Sequence, residues 1–300
     1  MAKLISIASG KGGVGKSFCS SSLALSLCAA GYKTLLVDAD LGGANLHNFV
    51  GLKVPGVGLY NYIRERSELS DVIVKSPAGV DFIGGSGDVL GMAHITKFEK
   101  IKILTGLKNE DYEYVVLDLG AGTSFNMVDM FNVGDIKIVV MSGEPTSIEN
   151  AYGFLKVAIY RHIERFLSKR WDFSEINKKL RSKSMNFPNV QSIIDAAAKI
   201  DENVAAAIRS FVSAFKPGMV LNQVKFKREL NVFYGFENVV NKYLSISIEK
   251  LGFLPYDKKV SECIKLLRPY YVRFPDSETV GCINDIRDQM IVKLQGSTNE

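Results

Sequence analysis

The run Gly10-Lys11-Gly12-Gly13-Val14-Gly15-Lys16-Ser17 matches the pattern G-x-x-x-x-G-K-[ST]. It follows the apolar stretch 4–8 and precedes an apolar helical pattern over 18–30, so it predicts a strand, a glycine-rich loop and a helix in immediate succession. The glycines let the backbone curl until successive N–H groups converge on an oxyanion. The helix start adds unpaired amides and the positive end of its dipole. In such a loop Lys16 reaches the β- and γ-phosphates of a nucleotide and the Ser17 hydroxyl ligates Mg2+. Gly10, Lys11, Gly12, Gly13, Val14, Gly15 and Phe18 complete the expected phosphate-binding segment. A ligand-free glycine-rich turn is the plain alternative, and the flanking strand and helix argue against it.

Short apolar runs at 4–8, 34–37, 80–83, 114–117, 136–141, 219–221 and 250–254 alternate with helical periodicity at 18–30, 95–108, 148–167, 228–243, 260–267 and 278–294. Buried strands joined by crossover helices make an α/β fold, a mostly parallel twisted sheet with helices on both faces. One interval breaks the alternation. Approximately 166–216 carries no strand pattern and reads as a helical insertion in a single domain spanning 1–300. Trp171, Phe173, Ile176, Leu180 and Phe187 are its candidate packing residues, and the stretch from Ile193 to Phe215 reads as one or two amphipathic helices.

Carboxylates stand just past two of the apolar runs: Asp38 and Asp40 after 34–37, Asp118 after 114–117. In open α/β sheets the carboxyl ends of the strands are where ligands bind. An aspartate ending an apolar strand near a phosphate loop is placed to hold Mg2+, directly or through water. A turn in which Asp38 and Asp40 accept backbone N–H groups is the plain alternative, and the nearby phosphate loop argues against it. The segment 144–150 reads as a helix start, with Thr146 or Ser147 opening it and Glu149 or Asn150 reaching back.

A plain phosphate loop does not need Lys11. Lys11-Gly12-Gly13-Val14-Gly15-Lys16-Ser17 resembles the deviant Walker A motif of the MinD/ParA family of ATPases. The resemblance implies that Lys11 crosses a dimer interface to phosphates held by the other subunit, hence an ATP-dependent sandwich homodimer; a solvated loop lysine is the alternative. It also implies that Asp40, in a segment similar to switch I, positions the attacking water, with Asp38 near Mg2+. Asp118, Gly120 and Gly122 resemble Walker B and switch II, where a glycine N–H senses the γ-phosphate. Asn222 resembles the family's adenine-reading asparagine, though a cap or turn role stays open, and the loop 252–257 with Pro255 resembles the segment that contacts the base. ATP is therefore expected over GTP. In the family the segment matching 144–150 flanks the dimer interface. His47 and His94 read as structural or surface residues.

The runs 118–126, 144–150 and 271–277 look most like the FlhG/FleN flagellar-number branch, which implies a flagellar GTPase or transcription activator as partner. The Gln-rich N-terminal helix often found in that branch is missing, because the strand pattern starts at once; the same start leaves no room for a secretory leader. Iron–sulfur relatives need cysteine ligands, and Cys19, Cys28, Cys263 and Cys282 show no C-x-x-C spacing, so no cluster is expected. Reduced thiols and a cytoplasmic location follow as expectations, with peripheral contact to the inner membrane face left open. The net charge of +5 permits anionic partners without requiring one. Between 156 and 183 nine lysines and arginines face three acidic residues, which suits nucleic acid, as in DNA-partitioning ParA proteins, or anionic lipid, or a solvated helix face. Val280, Ile283, Ile286, Met290, Ile291 and Leu294 give helix 279–294 one apolar face. Acidic residues on its polar side favour docking on the core over lipid. A nucleotide-dependent scaffold without hydrolysis is opposed by intact Lys16, Ser17, Asp40 and Asp118.

Overall fold

A computed structural model describes residues 1–65, 67–85, 95–181 and 187–296, without the side chains of Trp171, Gln295 and Gly296. The strands are β1 (Lys3–Ala8), β2 (Thr34–Ala39), β3 (Val74–Lys75), β4 (Asp81–Ile83), β5 (Tyr114–Leu119), β6 (Ile136–Ser142), β7 (Gly218–Val224) and β8 (Glu249–Pro255). They form one eight-stranded sheet in the order β3-β4-β2-β5-β1-β6-β7-β8. All neighbours are parallel except β3, which runs antiparallel to β4. The helices are α1 (Lys16–Ala29), α2 (Leu59–Arg64), α3 (Lys97–Asn109), α4 (Phe125–Val133), α5 (Pro145–Leu167), α6 (Ser174–Arg181), α7 (Val190–Ala198), α8 (Glu202–Ala214), α9 (Asn231–Leu244), α10 (Lys258–Lys265), α11 (Tyr270–Arg273) and α12 (Glu278–Gly296).

Helices cover both faces, which is why β2 and β5 are buried along their whole length. The period of two sorts the side chains. Leu4 and Ala8 of β1, with Val115, Leu117 and Leu119 of β5, enter the core under α3, α4, α5 and α9. Ile5, Ile7, Tyr114 and Val116 enter the opposite core, with α1 and α12. The same alternation carries Asp38, Asp118 and Asn222 to the α1 face, each at or near the carboxyl end of its strand.

The interval without strand pattern holds α6, α7 and α8. Phe173, Ile176, Leu180, Phe187, Ile193 and Ile194 are buried, so its apolar residues pack it as expected. The Trp171 side chain, Lys183 and His94 lie outside the described residues. Helix α12 settles on the core: Val280, Ile283, Ile286 and Met290 are buried, and Asn284 accepts a bond from the Ser26 hydroxyl of α1 at 2.7 Å. Most of its apolar face is thus spent on the core, with Ile291 and Leu294 partly buried against it.

Three local expectations need correction. Helix α4 was not anticipated, because Phe125–Val133 is apolar on most sides and lacks a clear stripe; the signal was Ser124, whose hydroxyl caps the Met127 amide. The helix expected from 228 begins as a 3-10 turn over Lys227–Leu230, and α9 proper starts at Asn231. Helix α5 opens with Pro145 and has no side-chain cap. The Ser147 hydroxyl instead accepts from the Ser142 amide at 2.9 Å.

Candidate functional site

The carboxyl ends of β1, β2, β5 and β7 meet below one cavity of about 400 Å3. Its wall includes Ser9, Gly12, Gly13, Gly15, Lys16, Ser17, Phe18, Asp40, Asn222 and Pro255 from the expected segments. Tyr256 comes from the expected loop 252–257, and the wall also includes Asn45, Phe49, Ala121, Gln223, Val260 and Ile264, which sequence reasoning did not single out.

The floor is a buried charge centre. Asp38 of β2 and Asp118 of β5 are register partners. Lys16 Nζ donates to Asp118 Oδ1 at 2.8 Å, with both side chains nearly buried. Ser17 Oγ donates to Asp118 Oδ2 at 2.7 Å, and Ser20 Oγ donates to Oδ1 at 2.6 Å. Desolvating two charges is expensive, and only a satisfied network of this kind repays it. Ser20 lies four residues after Lys16, hence on the same face of α1, and that spacing was the overlooked signal for it.

The Asp38 oxygens accept the amides of Asp40 at 3.1 Å and Leu46 at 3.0 Å. Burial, then repulsion from Asp118, pushes its carboxyl up to about 7 against those bonds and the Lys16 charge. Asp38 therefore braces the loop that carries Asp40. Asp40 lines the cavity and stands against Gly120, where a Cβ would come within 3.1 Å of its Oδ1. The two strand-end loops touch there. The Gly120 amide donates to the Met127 sulfur at 3.1 Å, and it is Ala121, not Gly120, that reaches the cavity wall.

Lys11 sits at the lip. Its Nζ donates to Thr146 Oγ1 at 3.0 Å and Glu144 Oε2 at 3.3 Å of its own chain. These contacts join two segments that the sequence presents separately. Gly10 packs on the α5 backbone so closely that a Cβ would collide with the Asn150 carbonyl. The Asn222 amide donates to Val14 O at 2.8 Å, so it holds the loop while it lines the cavity. Val14 itself is buried beneath the loop.

Among the described residues no cluster of three or more His, Cys, Asp or Glu could hold a metal. Mg2+ asks for less: one or two protein oxygens, the rest coming from phosphate and water. The paired Ser17 hydroxyl and Asp118 carboxylate, with Asp38 alongside, supply that hard-oxygen chemistry. His47 lies in a 3-10 turn, Leu46–Val50, away from the cavity wall. The basic stretch is partly neutralised, since Arg161 and Arg165 pair with Asp129 of α4 while Arg161 and Arg181 pair with Glu164 of α5. Among the described residues no helix is long and apolar enough to cross a membrane.

The sequence profile of the CobQ/CobB/MinD/ParA nucleotide binding domain matches residues 5–269. The antiactivator FleN of Pseudomonas aeruginosa is 25% identical over 279 residues, 92% of this chain and 81% of that protein. The flagellum site-determining protein YlxH of Helicobacter pylori is 32% identical over 167 residues, about half of each chain at 55% and 56%. Among solved structures, MinD in the MinC:MinD complex of Aquifex aeolicus superposes with TM-score 0.64 at 18% identity, covering 97% of this chain and 96% of that one. A ParA family ATPase of Chlorobium tepidum gives 0.64 at 15% identity, covering 95% and 97%. At such identities the structural likeness establishes the fold.

Proposed function

The chain belongs to the CobQ/CobB/MinD/ParA nucleotide-binding family, and on that premise we propose that it is a single-domain P-loop ATPase of the MinD/ParA type. Its ATP form is a sandwich homodimer, and hydrolysis switches the surface it offers to partners. The observation that carries this reading is the convergence of Lys16, Ser17 and Ser20 on Asp118 directly below the loop, with Asp40 above.

Phosphoryl transfer to water asks for positioning and charge neutralisation more than for covalent chemistry. The loop amides and Lys16 take the phosphate oxygens. Mg2+, when bound, neutralises phosphate charge, and Ser17 and Asp118 are the residues that would hold it, with Asp38 beside them. Asp40 orients the water. Lys11 leaves Glu144 and Thr146 and contributes its charge to the partner's nucleotide, so turnover depends on the dimer. Phe49, Pro255 and Tyr256 form the apolar end of the cavity for the base, with Asn222 beside them.

The name of YlxH, a flagellum site-determining protein, supports a role in the placement or number of flagella, and that of FleN, an antiactivator, supports a transcription activator as the protein partner, with a flagellar GTPase as the other candidate. A cytoplasmic location follows from that role. With α12 docked, any peripheral contact with membrane or nucleic acid falls to the basic stretch 156–183.

The test is the solution mass of Asp40→Ala by light scattering in Mg·ATP and in Mg·ADP. A dimer in ATP alone supports the switch. A monomer in both, with ATP bound, sinks the sandwich and leaves a monomeric nucleotide-binding protein.

A further inference from the structure

The end of β7 is irregular. The β7–β8 register slips between Leu221 and Val224, and Gln223 has φ of 61°, in the left-handed region that side chains avoid. Non-glycine residues held there are strained and persist where the surroundings demand them. Here the kink sets two consecutive side chains against the phosphate loop. Gln223 Nε2 donates to Gly13 O at 3.0 Å. Asn222 Nδ2 donates to Val14 O at 2.8 Å and to Gly15 O at 3.4 Å. The Gln223 amide in turn donates to Asn222 Oδ1 at 2.8 Å, fixing the orientation of that side chain. Gly15 must be glycine for this approach, since a Cβ there would collide with Asn222 Nδ2.

Two successive loop carbonyls, those of Gly13 and Val14, are thus drawn toward β7, while the Gly15 carbonyl accepts the Cys19 amide of α1 at 3.0 Å. In a planar trans peptide the N–H of the next residue points opposite to the carbonyl. Holding the carbonyls of Gly13 and Val14 on one side therefore aims the amides of Val14 and Gly15 to the other, and the helix bond of the Gly15 carbonyl sets the Lys16 amide. Those three amides donate to no backbone carbonyl among the described residues. We infer that Gln223 is a positioning residue for phosphate binding: with Asn222 it holds the loop in the shape that collects the phosphate oxygens, before any nucleotide arrives. This rests on the ATP-site reading above and adds to it a residue that touches neither phosphate nor metal. Pre-organised donors bind more tightly because the ordering cost is already met.

The experiment measures Mg·ATP, Mg·ADP and Mg·GTP affinity and nucleotide-free melting temperature in the full chain, for wild type, Gln223→Gly, Gln223→Glu and Lys16→Ala. Gln223→Gly removes the clamp and the strained side chain together. It should weaken ATP and ADP about tenfold, corresponding to one lost charge-assisted arrangement of donors, while its melting temperature holds or rises. Gln223→Glu keeps the size but cannot donate to Gly13 O, and should weaken binding at least as much. The ATP-to-GTP preference should not move, because the clamp orders phosphates and not the base. If both Gln223 variants bind like wild type while Lys16→Ala loses binding, the positioning role is overturned and the site reading stands. If affinity falls only in step with melting temperature, the role is merely structural and the inference fails. If Lys16→Ala binds like wild type, both readings fall together.

Discussion

The sheet has a cavity at each edge, and the larger one is at the amino edge. Beside the starts of β1, β6, β7 and β8 lies a space of about 540 Å3, lined by Lys3, Lys137, His162, Phe211 and Glu249 among others. The carboxyl-edge cavity is smaller, about 400 Å3. Volume would choose the wrong end. At the amino edge the charged groups are spent locally: Lys137 donates to Gly134 O at 2.7 Å, Lys293 pairs with Glu249 at 2.6 Å, and Asp135 accepts the Leu4 amide at 2.8 Å. At the carboxyl edge one buried carboxylate gathers an ammonium and two hydroxyls beneath a row of unpaired backbone amides. Parallel strands end there together, and the helix that follows β1 begins there, so donors and carboxylates converge as a matter of topology.

The largest test of that contrast is Lys16→Ala. It removes the cation facing the phosphates and strands Asp118 in a buried site, so ATP affinity should fall on the order of 100-fold. Titrating a labelled ATP analogue by fluorescence reads it directly, and retention within threefold would mean that the carboxyl edge is not the nucleotide site. Second is Lys11→Ala, whose contacts are exposed. Binding should stay within about threefold of wild type, while dimerisation in Mg·ATP is lost. Were both properties kept, Lys11 would be a lip residue bonded to Glu144 and nothing more. A smaller effect belongs to Phe49→Ala at the apolar end of the same cavity, with ATP affinity down about three- to tenfold through lost base contact and Mg·pyrophosphate affinity unchanged.

The smallest effect comes from the amino edge and should leave nucleotide binding alone. His162 stacks on Phe211 at 3.7 Å, and burial, then the charges of Lys137 and Arg165, push its imidazole down to about 4. A base whose pKa is lowered in the folded state contributes stability above its ordinary value near 6.5, and loses it as the pH falls toward 4. Below about pH 6.5 the melting temperature of wild type should therefore drop more steeply than that of His162→Leu, by no more than about 3 °C. Parallel curves would mean that the ring takes up its proton in the fold as readily as in the unfolded chain.

How far the sequence could be read differs between parts of the site. Lys16, Ser17, Asp40 and Asp118 were legible because each lies inside a local pattern of strand, loop and helix. All seven expected strands exist near their places. Strand β3 was missed because two residues make no period. The wall formed by Phe49, Val260 and Ile264 was not legible, since it is assembled from a 3-10 turn and α10 by the packing of the whole sheet. Gln223 was invisible for a sharper reason. Its role comes from a register slip and a positive φ, and no residue pattern encodes either. Asn222 was noticed, and its reach to Val14 O appears only once β7 and the loop are side by side. Lys11 and Glu144 each stood in a motif, but the bond between them belongs to the fold.

The short reversed strand at the end of the sheet has a consequence for how this protein behaves in company. A parallel sheet ending in a long, straight strand would offer a second molecule a ladder of unsatisfied amides and carbonyls, the usual start of edge-to-edge aggregation. Here the last strand is two residues long and runs against its neighbour. It carries Lys75, ion-paired to Asp81 at 2.8 Å and largely open to water, and Asp81 also accepts the Tyr112 hydroxyl at 2.8 Å. A charged stub of that length cannot template a growing ribbon. The molecule's capacity to pair strand to strand with its own copies is thereby blunted at one rim of the sheet.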